Sequence, residues 1–170
     1  SLGETRQAAA VFVEAAELAR RSDDDRRLAV VLFQLGRALQ VEEEFAAAEQ
    51  AYRERLDLLR GLKEREPRAE GIALHDLGEM LRAQGSFGEA LEMLREASRV
   101  AREAGELGGA AFSLLALAQT HEEADEPEAA ESAYRERLGL LRSLPEREPR
   151  EEGQTLRALG ELLEARGEGA

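Results

Sequence analysis

Residues 51–71 read AYRERLDLLRGLKEREPRAEG, and residues 133–153 read AYRERLGLLRSLPEREPREEG. The likeness, at a shift of 82 residues, runs on: between 51–85 and 133–167, 24 of 35 positions are identical. The same shift works upstream, where Glu14-Ala15-Ala16-Glu17-Leu18-Ala19-Arg20 falls on Glu96-Ala97-Ser98-Arg99-Val100-Ala101-Arg102. The chain of 170 residues is two copies of one unit.

Each unit holds a smaller one. Leu35-Gly36, Leu77-Gly78, Leu117-Ala118 and Leu159-Gly160 mark the same place at spacings of 42, 40 and 42 residues. Around it Leu32, Leu35 and Leu39 recur at i, i+3, i+7, as do Leu74, Leu77, Leu81 and Leu156, Leu159, Leu163. A second helical pattern follows each time, with Ala48, Tyr52, Leu56 and Leu59, then Ala90, Leu94, Ala97 and Ala101. No segment shows the two-residue alternation of a half-buried strand. Gly85 suits a helix stop, and Ser86-Phe87-Gly88-Glu89 has the form of a capping box. Pro67 and Pro149 fit first helical turns, and Asp23-Asp24-Asp25 puts acid at a helix start. The pattern predicts eight helices, over roughly 4–21, 24–41, 44–62, 67–84, 86–104, 107–124, 126–143 and 147–166.

Leu74, Leu77, Gly78, Leu81, Gly85, Phe87, Ala90, Leu94 and Ala97 resemble a tetratricopeptide repeat, and Leu32, Leu35, Gly36, Leu39, Phe45, Ala48 and Tyr52 resemble another. A third is degenerate: Ala118 replaces the Gly, and Pro127 stands where Phe45 and Phe87 stand. The repeat exceeds the common ~34 residues. In that it is similar to the repeats of kinesin light chains and Pins-type scaffolds, and to those of bacterial regulators that carry an ATPase or DNA-binding domain elsewhere. The resemblance implies an all-α fold, a right-handed α-α superhelix of about eight antiparallel helices. It divides 1–170 as one array: the second helix of a partial repeat at 4–21, repeats at 24–62, 67–104 and 107–143, and the first helix of a partial repeat at 147–166. Such phasing leaves both terminal helices without a partner. A fragment of a longer protein is expected, or open ends that pair with another copy through the Leu156/Leu159/Leu163 face.

Composition narrows the partners. A net charge of −13 argues against nucleic acid, whose binding needs a basic face, and against an anionic membrane surface. With no Cys, disulfides and thiolate metal sites are excluded. No apolar run approaches membrane length, and no signal peptide precedes the first helical pattern, so a cytoplasmic protein is expected. Asn is absent and Lys63 is the only lysine. A GC-rich bacterial genome explains both, and loss of thermolabile residues is a rival explanation.

The resemblance implies that ligands lie on the concave face built by the first helices. Carried over place by place, that face holds Val30, Ile72, Phe112 and Gln154, then Phe33, His75, Leu115 and Arg157. Beyond the Leu-Gly mark come Arg37, Glu79, Gln119 and Glu161, then Gln40, Arg82, Glu122 and Glu164. Related peptide-gripping repeats place Asn just after Leu-Gly; here only Gln119 keeps an amide. The Lys/Asn/Arg clamp for a C-terminal carboxylate is missing as well. What remains is a mixed groove, with apolar Phe33, Ile72, Phe112 and Leu115 flanked by Arg37, Arg82, Arg157 and acids. The alternative is that Phe33 and Phe112 only pack between repeats.

His75, four residues before Glu79, is expected either as a solvated groove residue or as a switch whose pKa a carboxylate raises. His121-Glu122-Glu123-Ala124-Asp125 offers metal-ligand atoms but reads as a solvent-facing polar turn. The Arg–Glu pairs of the doubled stretch read as solvated i, i+3 and i, i+4 partners. Arg55 and Arg137 stand where common repeats prefer Ala, which suggests altered stacking there. No phosphate loop, nucleophile elbow or H-E-x-x-H run is present. The expectation is a protein-interaction module without catalysis, cofactor or metal, binding a protein or peptide partner. Its rivals are a ligand-sensing region of a bacterial regulator and a self-association module that forms a homodimer through its open terminal helices.

Overall fold

The computed structural model describes residues 2–146 and 149–168. The described residues form eight α-helices and no strand: α1 Leu2–Arg21, α2 Asp25–Val41, α3 Phe45–Gly61, α4 Pro67–Ala83, α5 Phe87–Glu103, α6 Leu107–Glu123, α7 Pro127–Ser143 and α8 Pro149–Glu168. Consecutive helices pack against one another along the chain, and α4 also touches α6. The molecule is thus a solenoid, in which each helix pair buries its apolar face only by stacking on its neighbours. The helix expected from residue 147 starts at Pro149; Arg147 and Glu148 lie outside the described residues.

The core follows the leucine pattern. Leu32, Leu74, Leu77 and Leu81 are buried, as are Tyr52, Leu56, Leu59, Tyr134, Leu138 and Leu141 of the doubled stretch. The Leu-Gly glycines provide close approach. A methyl group at Gly36 would stand 2.9 Å from the Tyr52 ring, and one at Gly78 would stand 2.7 Å from Leu94 Cγ. Each glycine is a notch for one large side chain of the following helix.

Two kinds of connection occur. Five turns, ending α1, α2, α4, α5 and α6, share one form with a left-handed residue: Asp23, Glu43, Gly85, Gly105 and Asp125. At Glu43 the φ angle is 60°, Glu43 N–H donates to Gln40 O, and Glu44 N–H donates to Leu39 O. This paired bonding is the Schellman motif, in which glycine is favoured at the left-handed position. Glu43→Gly should therefore raise the unfolding free energy by about 0.5–1 kcal/mol, read from urea denaturation; a loss of stability would contradict the strain. The remaining connections, after α3 and α7, are longer. They leave the helix through extended Leu62 and Leu144, and re-enter at Pro67 and Pro149.

The capping box at Ser86 is not formed. Ser86 is the N-cap of α5, yet its side chain makes no cap bond, while its N–H donates to Leu81 O within the turn. The Schellman turn already sets the chain's entry, and the hydroxyl is left over. Asp24 does cap α2, its carboxylate accepting from Arg27 N–H.

The arginines of the doubled stretch divide by side. Arg53 pairs with Glu49 at i, i+4 and Arg135 with Glu131, both at the surface as expected. Arg55 and Arg137 do not stay in solvent. Arg55 Nη1 donates to Asp76 Oδ2 of α4 at 2.6 Å. Arg137 is 1 % exposed; its Nε donates to Ala111 O at 3.1 Å, and its other nitrogens reach Thr155 Oγ1 and the Glu151 carboxylate of α8. Each buried guanidinium ties a second helix to the next repeat. At the shift of 82 residues the acceptors Asp76, Glu151 and Thr155 fall opposite Ala158, Ala69 and Ala73. The donor is kept in both copies and the acceptor has moved.

Candidate functional site

The first helices α2, α4, α6 and α8 carry the side chains expected to meet a partner. Their N-terminal row, Val30, Ile72 and Phe112, is exposed at 63, 46 and 58 %. An apolar row left open across three repeats is not needed for the core.

The next row is not open. Phe33 packs against the core and is approached by two guanidiniums, with Arg55 at 4.7 Å and Arg37 at 5.7 Å from its ring centre. Leu115 is half-buried against the core of the later repeats. Phe33 is half-buried, with the buried Arg55 beside its ring as a cation–π neighbour, in line with the alternative of packing between repeats. Arg157 remains exposed and pairs with Glu161 along its own helix at 2.7 Å.

His75 is neither a solvated groove residue nor a base with a raised pKa. Its ring lies 4.6 Å from that of Phe112, tilted by 41°. Burial pushes its pKa below the usual imidazole value, outweighing the opposing pull of Glu79 and Asp76. Ser113 Oγ donates to Gly109 O at 3.2 Å and stands 3.4 Å from His75 Nδ1. Because the folded-state value lies below the unfolded one, the unfolded chain takes up the proton first. Stability present above about pH 6.5 is then lost as the pH falls below it. His75→Gln should flatten that fall, read as melting temperature against pH; an unchanged slope would contradict it.

Between α4 and α6 lies a pocket of about 260 Å³. Ile72, His75 and Phe112 form its walls, Ala101 lies at its base, and Arg68 and Glu106 stand at its rim. Small residues make the space: a methyl at Gly71 or Gly109 would come within 3.9 Å of Ala101. Asp76 also lines it, but its carboxylate is held by Arg55. Burial raises the Asp76 pKa even so, against the pull of Arg55. The volume lies below the ~300–1,000 Å³ of a small-molecule or cofactor site and suits one apolar side chain of a partner.

Charges further along the face satisfy one another. Arg82 holds Glu79 at 2.9 Å and Glu123 at 2.6 Å, which links α4 to α6. Gln40 accepts from the Tyr52 hydroxyl at 3.2 Å, and Glu122 from that of Tyr134 at 2.6 Å. Burial lifts the Tyr52 pKa to about 12 and that of Tyr134 further, so both stay donors. Arg37 is exposed and Gln119 half-buried on the same face. His121 departs from the solvent-facing turn that was expected. It is buried at the end of α6, with Nδ1 2.6 Å from Glu126 Oε2 and Nε2 3.3 Å from an Arg95 nitrogen. Arginine only donates, so Nε2 accepts and Nδ1 gives its proton to Glu126. Both ring nitrogens are used in tying α6 to α5 and to the following turn.

Residues 70–143 match the family model described as tetratricopeptide repeat. That stretch is similar to tetratricopeptide repeats. Similar solved structures extend the likeness over nearly all of the chain. The crystal structure of BtubC (BKLC) from P. vanneervenii has a TM-score of 0.79 at 24% identity, covering 95% of this chain and 66% of that one. A Podosopora anserina kinesin-light-chain protein with nearly identical TPR-like repeats has a TM-score of 0.80 at 15% identity, covering 98% of this chain and 81% of that one. At these identities the likeness is one of fold. This chain spans 66% of the length of BtubC. No curated protein matches it in sequence. Tetratricopeptide domains bind proteins or peptides and are generally scaffolds without catalysis. Among the described residues no helix is long and apolar enough to cross a membrane.

Proposed function

We propose that this tetratricopeptide array is a protein-interaction module with no catalysis of its own. A partner segment lies across the first-helix face and seats one apolar side chain in the pocket between α4 and α6. The observation that carries this is the exposed row of Val30, Ile72 and Phe112 beside a pocket of about 260 Å³, on a face whose other charges are largely paired. An apolar anchor in a pocket with a polar rim is the usual anatomy of a binding centre. The rim, Arg68 and Glu106 at 3.8 Å, is a long and exposed ion pair that a partner's charges can replace at little cost. The overall charge of −13 favours a partner segment with basic residues around its apolar anchor, and disfavours nucleic acid.

The test is selection of peptides from a displayed random library, followed by titration of the recovered sequences. Ile72→Asp, on an exposed side chain that the fold does not need, should weaken binding at least about tenfold, the usual scale for an interface anchor. Peptides bound equally well by Ile72→Asp and Phe112→Ala would place the site elsewhere.

A further inference from the structure

The shift of 82 residues that aligns the two copies also lays α4 on α8 and α5 on α1. Inside the chain, α4 and α5 form a closely fitted pair. The notch at Gly78 receives Leu94, and Leu74 and Leu81 are 0 and 1 % exposed. On α8 the same residues stand uncovered. Leu156 and Leu163 are 46 and 42 % exposed, and a methyl at Gly160 would meet nothing within 4 Å. The complementary half is on α1. Phe12 stands in the place of Leu94, Ala15 in that of Ala97, and Leu18 in that of buried Val100. Leu18 is exposed. The chain therefore carries both halves of one helix pair, on the first and last helices of the stack.

The charges repeat the pattern. Arg60 of α3 bridges Glu70 at 3.3 Å and Glu96 of α5 at 2.8 Å. Its counterpart Arg142 of α7 reaches Glu152, the counterpart of Glu70, at 3.4 Å. The counterpart of Glu96 is Glu14, exposed on α1. A helix lying on α8 as α5 lies on α4 would bring such a glutamate to Arg142.

We propose that α1 of one copy packs on α8 of a second copy in the register of the α4–α5 pair, with Phe12 in the Gly160 notch and Glu14 on Arg142. The contact is head to tail. A dimer so formed still presents one free α1 and one free α8, so growth continues with concentration unless a ring closes.

Sedimentation of the 170-residue chain over a wide concentration range tests this. The average mass should rise with concentration and pass that of a dimer. Gly160→Leu fills the notch, and Leu18→Glu charges the α1 face; both alter exposed positions, and helicity and melting in dilute solution should hold. Each variant alone should be monomeric, because each lacks one of the two surfaces. Mixed in equal amounts, they should form a species of two copies and stop there. A wild-type mass that stays monomeric at every concentration would overturn the proposal, and would leave the α8 face to a helix of a different chain or segment. Association of either variant alone would also overturn it, in favour of a symmetric contact.

Discussion

Arg137→Ala should lower the free energy of unfolding by about 3 kcal/mol, the scale set by losing one partner of a buried ionic network. The guanidinium is 1 % exposed and serves Ala111 O, Glu151 O, Thr155 Oγ1 and the Glu151 carboxylate at once. Truncation leaves those acceptors facing a cavity. It also removes the main polar tie between α7 and α8, so α8 should lose hydrogen-exchange protection first. Surface pairs offer the contrast. Removing Arg157, 70 % exposed and paired along its own helix with Glu161, should cost under about 0.5 kcal/mol. Urea denaturation followed by circular dichroism checks both. Equal, small losses would mean that the Arg137 network contributes no more than a surface pair.

Gly78→Val should be nearly as damaging, at about 2–3 kcal/mol, while Gly160→Val should change the monomer by less than about 0.5 kcal/mol. The two glycines occupy the same place in the repeat. At Gly78 the first added carbon already stands 2.7 Å from Leu94 Cγ and 3.4 Å from Ala90 O, inside the α4–α5 pair. At Gly160 it meets nothing within 4 Å. Stability in a repeat array is a sum of local terms, so the Gly78 loss should appear first in exchange at α4 and α5. Equal effects at both sites would mean that helix propensity, and not the neighbouring helix, sets the requirement for glycine.

The fold was legible because the leucine period and the Leu-Gly mark are local. Leu74, Leu77 and Leu81 trace one face of one helix, and the left-handed Gly85 and Gly105 stop helices where the pattern places the breaks. Other features depend on contacts between repeats, which spacing along one helix does not encode. Arg55 and Arg53 look alike in the sequence, yet one turns to Asp76 and the other to Glu49. The available signal was that Arg55 and Arg137 are kept in both copies at a place where common repeats carry Ala. The neighbours of His75 on α4 suggest a raised pKa, whereas burial lowers it, with the Phe112 ring of α6 packed against the imidazole. The Ser86 box matched in letters, but the Leu81 carbonyl took the Ser86 N–H instead. On the candidate face the helical period puts the apolar row and the polar rows side by side in the sequence. The pocket depends on Gly71 and Gly109 of separate helices converging on Ala101, which that period does not encode.

Hydrogen–deuterium exchange on the protein, with and without a peptide selected from the displayed library, tests the first-helix face most directly. The account predicts added protection around Arg68–Asp76 of α4 and Gly109–Ser113 of α6, the two walls of the pocket. Protection confined to the second helices α3, α5 and α7 would contradict it.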